Sequence, residues 1–243
     1  MATASGPTPE ELEEKGVLRL GLGAGLGFVG AICAIVLPLT FLYLTSTVDS
    51  GFFVWNATFV EVTSILLIAG AVLLLVSLFV YRRSFAALRK VDRKFIVASV
   101  LCIIGSLGFL LLIITAAVVA NNTGSLLTCV HGQPSHALTC LKSAQPFGAY
   151  TAVIGFFLGW LGGVGIVLGL LMAGGRFKVG ALTAAGALYA LLLLVLILPF
   201  LSQFVTVPGR LYLELLSPVF AVLGPGLALV GSSRTRSELA APS

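Results

Sequence analysis

The residues best suited to chemistry cluster in one short stretch. Cys129-Val130-His131 and His136-Ala137-Leu138-Thr139-Cys140 bring two thiols and two imidazoles together. Thiolate and imidazole are the ligands zinc prefers in a tetrahedral site. The spacing matches no established zinc pattern, and the same two cysteines can instead close a hairpin. A Cys129–Cys140 disulfide with His131 and His136 solvated is the expected arrangement, and no metal is assigned. The chain-entropy argument gives a bridge over so short a loop roughly 2–3 kcal/mol. Cys33 and Cys102 fall inside apolar runs and read as small packing residues.

Catalytic patterns are lacking elsewhere. The chain holds no H-E-x-x-H and no G-x-S-x-G, and both histidines lie away from the serines and cysteines of the apolar runs. An intramembrane hydrolase needs nucleophile and base together, so no catalytic residue and no cofactor is expected. Asp49, Glu61 and Glu214 sit near the ends of apolar runs, with Arg210 one turn from Glu214 as a local ion-pair partner. Tyr189 and Gln203 read as isolated polar members of the fifth run. A proton-coupled carrier generally needs a buried acid or histidine at mid-depth, and the runs contain none.

The elements carrying these residues follow from composition. Apolar residues make up 58% of the chain and charged residues 9%. A soluble domain has about 25% charged residues, so this chain could not cover itself in water. Its charges also cluster, leaving apolar runs longer than the roughly 18–20 residues that span a bilayer as a helix. The runs fall at about 18–45, 57–80, 95–120, 148–173, 179–205 and 211–231. Barrel strands would be about ten residues long with alternating polarity, unlike these. The expected fold is all-α: a polytopic transmembrane bundle of about six spans. Segment 1–17 precedes it and a tail, 232–243, follows.

Thr8-Pro9-Glu10-Glu11 reads as a capped helix start that runs into the first span. The acidic opening and the long first run differ from a cleaved leader, so the segment is expected to be retained. Pro38, Pro199 and Pro218 should bend their spans, and Gly224-Pro225-Gly226 should interrupt the last.

Basic residues set the orientation. Arg82, Arg83, Arg89, Lys90, Arg93 and Lys94 follow span 2, Arg176 and Lys178 follow span 4, and Arg234 and Arg236 lie in the tail. The opposite side holds Lys142 and Arg210. Both termini are therefore expected in the cytoplasm of a cell-membrane protein. The tripeptides beginning at Asn56 and Asn121 are glycosylation sequons on the outer side, as is the cysteine pair. A formal charge of +5 would suit nucleic acid, but these cations occupy short loops between spans. Lipid headgroups are the partner they fit, and no nucleic acid is expected.

Two patterns point to contacts. Between residues 81 and 95, Phe85, Leu88, Val91 and Phe95 recur at helical spacing among the cations. A short interfacial helix would sink these apolar groups at the acyl boundary and hold the cations on headgroups. Small residues form stripes: Gly21, Gly23, Gly25 and Gly27 in span 1, and Gly155, Gly159 and Gly163 in span 4, with Gly165 and Gly169 beside them. Such stripes let helix backbones approach in lipid. Packing within the chain is the expected use, with a homo-oligomer or another membrane partner left open. They lack the strand-to-helix context of a nucleotide fingerprint.

Gly16-Val17-Leu18-Arg19-Leu20-Gly21, Arg83-Ser84-Phe85-Ala86-Ala87-Leu88 and Gly174-Gly175-Arg176-Phe177 together resemble an archaeal family of multi-pass membrane proteins, domain of unknown function 973. The resemblance spans nearly the whole chain and implies an archaeal plasma-membrane protein. It implies no reaction. The expected role is non-enzymatic: structural, lipid-binding or partner-binding. The alternative is a transporter or channel for a small solute. A membrane-impermeant thiol reagent added outside intact cells should label a cysteine introduced within 121–147 and miss one introduced within 82–94. The reverse pattern would invert the orientation.

Overall fold

The computed structural model describes residues 8–37, 48–49, 52–53, 57–121, 146–201 and 210–240. Within them lie α1 (Pro9–Ala31), continued by a π-helical turn at Ile32–Val36, α2 (Ala57–Leu88), α3 (Phe95–Asn121), α4 (Pro146–Phe177), α5 (Gly180–Leu201) and α6 (Arg210–Ala240). Two short strands, β1 (Val48–Asp49) and β2 (Phe52–Phe53), pair antiparallel with Val48 opposite Phe53. Each of the six α-helices carries a segment long and apolar enough to cross a membrane. In hydrocarbon the backbone must satisfy its own hydrogen bonds, which a helix does within one segment. The chain is a multi-pass α-helical membrane protein.

Local chemistry sets the helix ends. The Thr8 hydroxyl accepts from the Glu11 N–H at 3.3 Å, and the Glu11 carboxylate accepts from the Thr8 N–H at 3.1 Å. This capping box satisfies two amides that the first turn leaves without helical partners. At the α4–α5 turn Lys178 takes φ 55°, and the Val179 N–H reaches back to the Gly174 carbonyl at 3.1 Å. That is the left-handed helix stop usually built on glycine.

The helices pack in chain order as a closed ring, each against the next, with α6 returning to α1. Glycines set the approach. Along α1, Gly16, Gly23 and Gly30 recur every seven residues against α2. Ser84 and Ser77 of α2 donate hydrogen bonds to the Gly16 and Gly23 carbonyls at 2.6 and 2.7 Å. One further heptad along α2, Gly70 lies against Ala34 of the π-helical turn. Between α3 and α4 the backbones themselves touch: a Cβ on Gly105 would collide with the Gly162 backbone, and one on Gly108 with the backbone at Gly159 and Gly155. Thr115 and Thr151 join the same pair at 2.9 Å.

Two boundaries differ from expectation. The segment expected as an interfacial helix is the continuation of α2 to Leu88, a turn, and the start of α3. Phe85, Leu88 and Phe95 are 0%, 1% and 0% exposed. They enter the protein core instead of the acyl boundary because Phe85 stacks between Tyr81 and Phe95, at 5.9 and 6.1 Å between ring centroids. Helix α6 runs through Pro218 and Pro225 to Ala240, so Gly224-Pro225-Gly226 does not interrupt it. Neighbouring helices in a bundle can re-satisfy the groups a proline frees, and Pro225 is fully buried beside Gly27 of α1.

Gly105→Val should destabilise the bundle by about 1–3 kcal/mol, the usual size of overpacking, read as a lower thermal midpoint in detergent. Gly175→Ala, whose added carbon meets nothing within 4 Å, should not lower it. Equal midpoints for the two variants would refute backbone contact as the basis of the α3–α4 pair.

Candidate functional site

Polar chemistry gathers at two places, one end of the ring and its centre. At the end, helical periodicity sorts the side chains of α2. Tyr81, Ser84, Phe85 and Leu88 face inward and are buried, while Arg82 and Arg83 are exposed. After α2 the chain turns at Asp92, whose Oδ1 accepts from the Lys94 N–H at 3.0 Å. Arg89, Lys90, Arg93 and Lys94 project from this turn and are exposed. The six cations predicted to meet headgroups thus form an exposed basic rim.

Arg176, at the end of α4, is held differently. It pairs with Glu13 of α1 through Nε at 3.0 Å and also through Nη2. Its Nη1 lies 3.6 Å from Asp92 Oδ2. Arg19 Nη1 also reaches the Arg83 carbonyl at 3.5 Å. These groups are partly exposed, and such pairs contribute about 0–1 kcal/mol each. Their geometric effect is larger: one guanidinium ties the first helix and the α2–α3 turn to the end of α4.

The centre is aromatic with hydroxyls at its edge. Tyr189 of α5 lies with its ring against Gly224 of α6, and its hydroxyl, like that of Ser77 of α2, lies beside Gly27 of α1. Tyr81 lies against Gly23, and Phe85 against Gly169 of α4. The glycines are slots that a Cβ would fill. Tyr81 is 0% exposed, and its hydroxyl has no hydrogen-bond partner among the described residues. Tyr189 and Cys102 are near enough to interact with it electrostatically. Tyr189, read from the sequence as isolated, belongs to this group.

The remaining predicted residues fall as follows. Gly23 and Gly27 face Tyr81 and Tyr189; Gly155, Gly159 and Gly163 face Gly108, Phe109 and Leu193. Gly21 and Gly25 look toward Ser232 and Leu229 of α6. All seven glycines therefore meet neighbours within the chain. Cys33 and Cys102 are free thiols, Cys33 within the π-helical turn. Cys129, Cys140, His131, His136 and Asn56 lie outside the described residues; Asn121 closes α3. Among the described residues no group of three His, Cys, Asp or Glu side chains is arranged to hold a metal. The sequence reading missed the Glu13–Arg176–Asp92 cluster and the Tyr81–Tyr189 approach, whose members are distant in the chain. The matching seven-residue spacings of small residues in α1 and α2 were a signal that could have paired those helices.

No protein-family model, curated protein or solved structure matches the chain.

An unpartnered buried hydroxyl costs about 1–3 kcal/mol in desolvation. Tyr81→Phe keeps the ring stack and removes that group, so it should raise the thermal midpoint, by the equivalent of about 1 kcal/mol. A lowered midpoint would mean that the hydroxyl has a partner in the folded protein.

Proposed function

We propose that this protein is a non-enzymatic bundle of the cell membrane, with both termini cytoplasmic, that engages anionic lipid headgroups through its basic rim. The observation that carries the reading is the division of the ring. Its middle is filled by large apolar and aromatic side chains (Leu20, Tyr81, Phe85, Phe95, Leu170 and Leu182, each under 2% exposed). Its exposed cations crowd one end, from Arg82 to Lys94. Each cation near an anionic surface contributes about 1 kcal/mol. The filled middle favours a binding role over catalysis. An outer Cys129–Cys140 disulfide fits the same orientation, and the archaeal resemblance fits a cell-membrane location.

A second reading, passage of a small solute, draws on one feature. The π-helical turn at Ile32–Val36 is a rare element that often accompanies functional sites. It would require the aromatic centre to move.

In nanodiscs containing phosphatidylglycerol the protein should melt higher than in pure phosphatidylcholine. Arg89→Gln, Lys90→Gln, Arg93→Gln and Lys94→Gln combined should remove most of that difference, about 1 kcal/mol per cation. Equal melting of the unmodified protein in the two lipids would sink the proposal.

A further inference from the structure

Arg19 crosses between the first two helices and meets no acid there. Gly16 and Gly23 bring α1 close against α2. Arg19, between them along α1, lays its guanidinium over the seam, with Nη1 3.5 Å from the Arg83 carbonyl of α2. That long bond uses one of the five N–H donors an arginine carries. Arg19 is half-buried and Arg83 exposed, and neither enters an ion pair among the described residues. The acids of this end are engaged elsewhere. Glu11 accepts from the Thr8 N–H, Glu13 pairs with Arg176, and Asp92 is divided between Arg176 and the Lys94 N–H. Glu10 and Glu14 are exposed near the start of α1 and pair with neither arginine.

Two cations from different helices thus share one level of the seam, and like charges so placed repel until an anion answers them. The planar fork of arginine matches phosphate, which it binds through paired N–H groups. The surface leading inward from Arg83 selects the source of that phosphate. Phe79, Val76 and Val72 precede Arg83 by four, seven and eleven residues, a spacing that keeps them on its face of α2. All three are exposed, as is Leu22 beside Arg19 on α1. From Arg83 to Val72 the helix rises about 16 Å, close to one leaflet of hydrocarbon roughly 30 Å thick. A phosphate at the arginines therefore has the chains of its own leaflet beside this stripe.

We infer that Arg19 and Arg83 seat the phosphate of one anionic phospholipid at the basic end, with its acyl chains along Phe79, Val76 and Val72. This rests on the lipid-binding reading above. It adds a single defined position to the rim, with Arg19 as a member outside the α2–α3 segment.

Native mass spectrometry of the full-length protein counts the lipids directly. Phosphatidylglycerol and phosphatidylcholine would be supplied in equal amounts in detergent. The first lipid retained should be phosphatidylglycerol, bound more tightly than any that follows. Arg83→Gln should weaken that first step about tenfold, the scale of a hydrogen bond to a charged group. It keeps the carbonyl that Arg19 meets, so it tests the site even if Arg19→Gln fails to fold. Arg19→Gln should cause a similar loss, and the double variant should lose little more than either single, because one phosphate is shared. Lys178→Gln, an exposed cation of the same end, should leave the first step within about twofold, its field being screened. A first step unchanged in Arg83→Gln, an equal loss in Lys178→Gln, or single losses that multiply in the double variant overturns the site. Displacement of the first lipid by an equal concentration of glycerol 3-phosphate also overturns it, since the ligand is then a soluble phosphate. If the arginine variants bind normally while phosphatidylglycerol still raises the melting temperature, the rim reading stands without this seat. If phosphatidylglycerol raises no melting temperature, both fall.

Discussion

Helices already dissolved in hydrocarbon gain nothing from hiding leucine against leucine, since lipid tails are equally apolar. What holds them together is the contact made when backbones come close. The ring depends on this constraint. Gly16, Gly23 and Gly30 of α1 and Ser84, Ser77 and Gly70 of α2 follow the same seven-residue step in opposite directions. A seven-residue repeat is slightly shorter than two turns of a straight helix, so the stripe stays on one seam as the helices wind about each other. The serines add to closeness a hydrogen bond to a glycine carbonyl, which a bare GxxxG contact lacks. Between α3 and α4 no side chain intervenes at Gly105 and Gly162.

Close edges alone would leave a ring with an empty middle. The aromatic residues fill it, and they fit because glycine opposes them. Tyr81 rests on Gly23, Phe85 on Gly169 and Tyr189 on Gly224. The same residue type thus does two jobs: where glycine faces glycine it closes a seam, and where it faces an aromatic ring it admits the core. Tyr189 shows the consequence. From α5 it contacts α6 with its ring and approaches α1 and α2 with its hydroxyl, so a single side chain links four helices. Dense filling of this kind resists a continuous water path at the level of the two tyrosines.

Class and span number were legible because both rest on long-range composition: charges sparse and clustered, apolar runs of helical length. The capping box at Thr8 was legible because its partners are three residues apart. The segment 81–95 was misread for an instructive reason. Its apolar spacing fits an interfacial helix as well as the end of a spanning one, and only the Tyr81–Phe85–Phe95 stack, which needs the turn at Asp92, distinguishes them. The expected break at Gly224-Pro225-Gly226 rested on soluble-protein rules. Inside a bundle a proline beside a glycine slot is accommodated, as Pro225 is beside Gly27. Tyr81 with Tyr189, and Glu13 with Arg176, could not be paired from sequence, since nothing local links positions more than a hundred residues apart.

The charges at the basic end divide by environment as well as by sign. Arg176 has its charge largely answered by Glu13 and Asp92, so it works as a structural tie and leaves little field for a ligand. The exposed cations from Arg82 to Lys94 have one acid within their turn, and Asp92 is directed partly toward Arg176 and partly into the turn's own backbone. Their field is free to act outward. Of the acids that open α1, Glu10 and Glu11 lie in its first turn at the helix start, and Glu13 answers Arg176. The net positive end is thus the remainder after the internal pairs are made. On the proposed reading the cations that favour one orientation of the chain are also those that bind headgroups, so orientation and lipid contact would share one electrostatic cause.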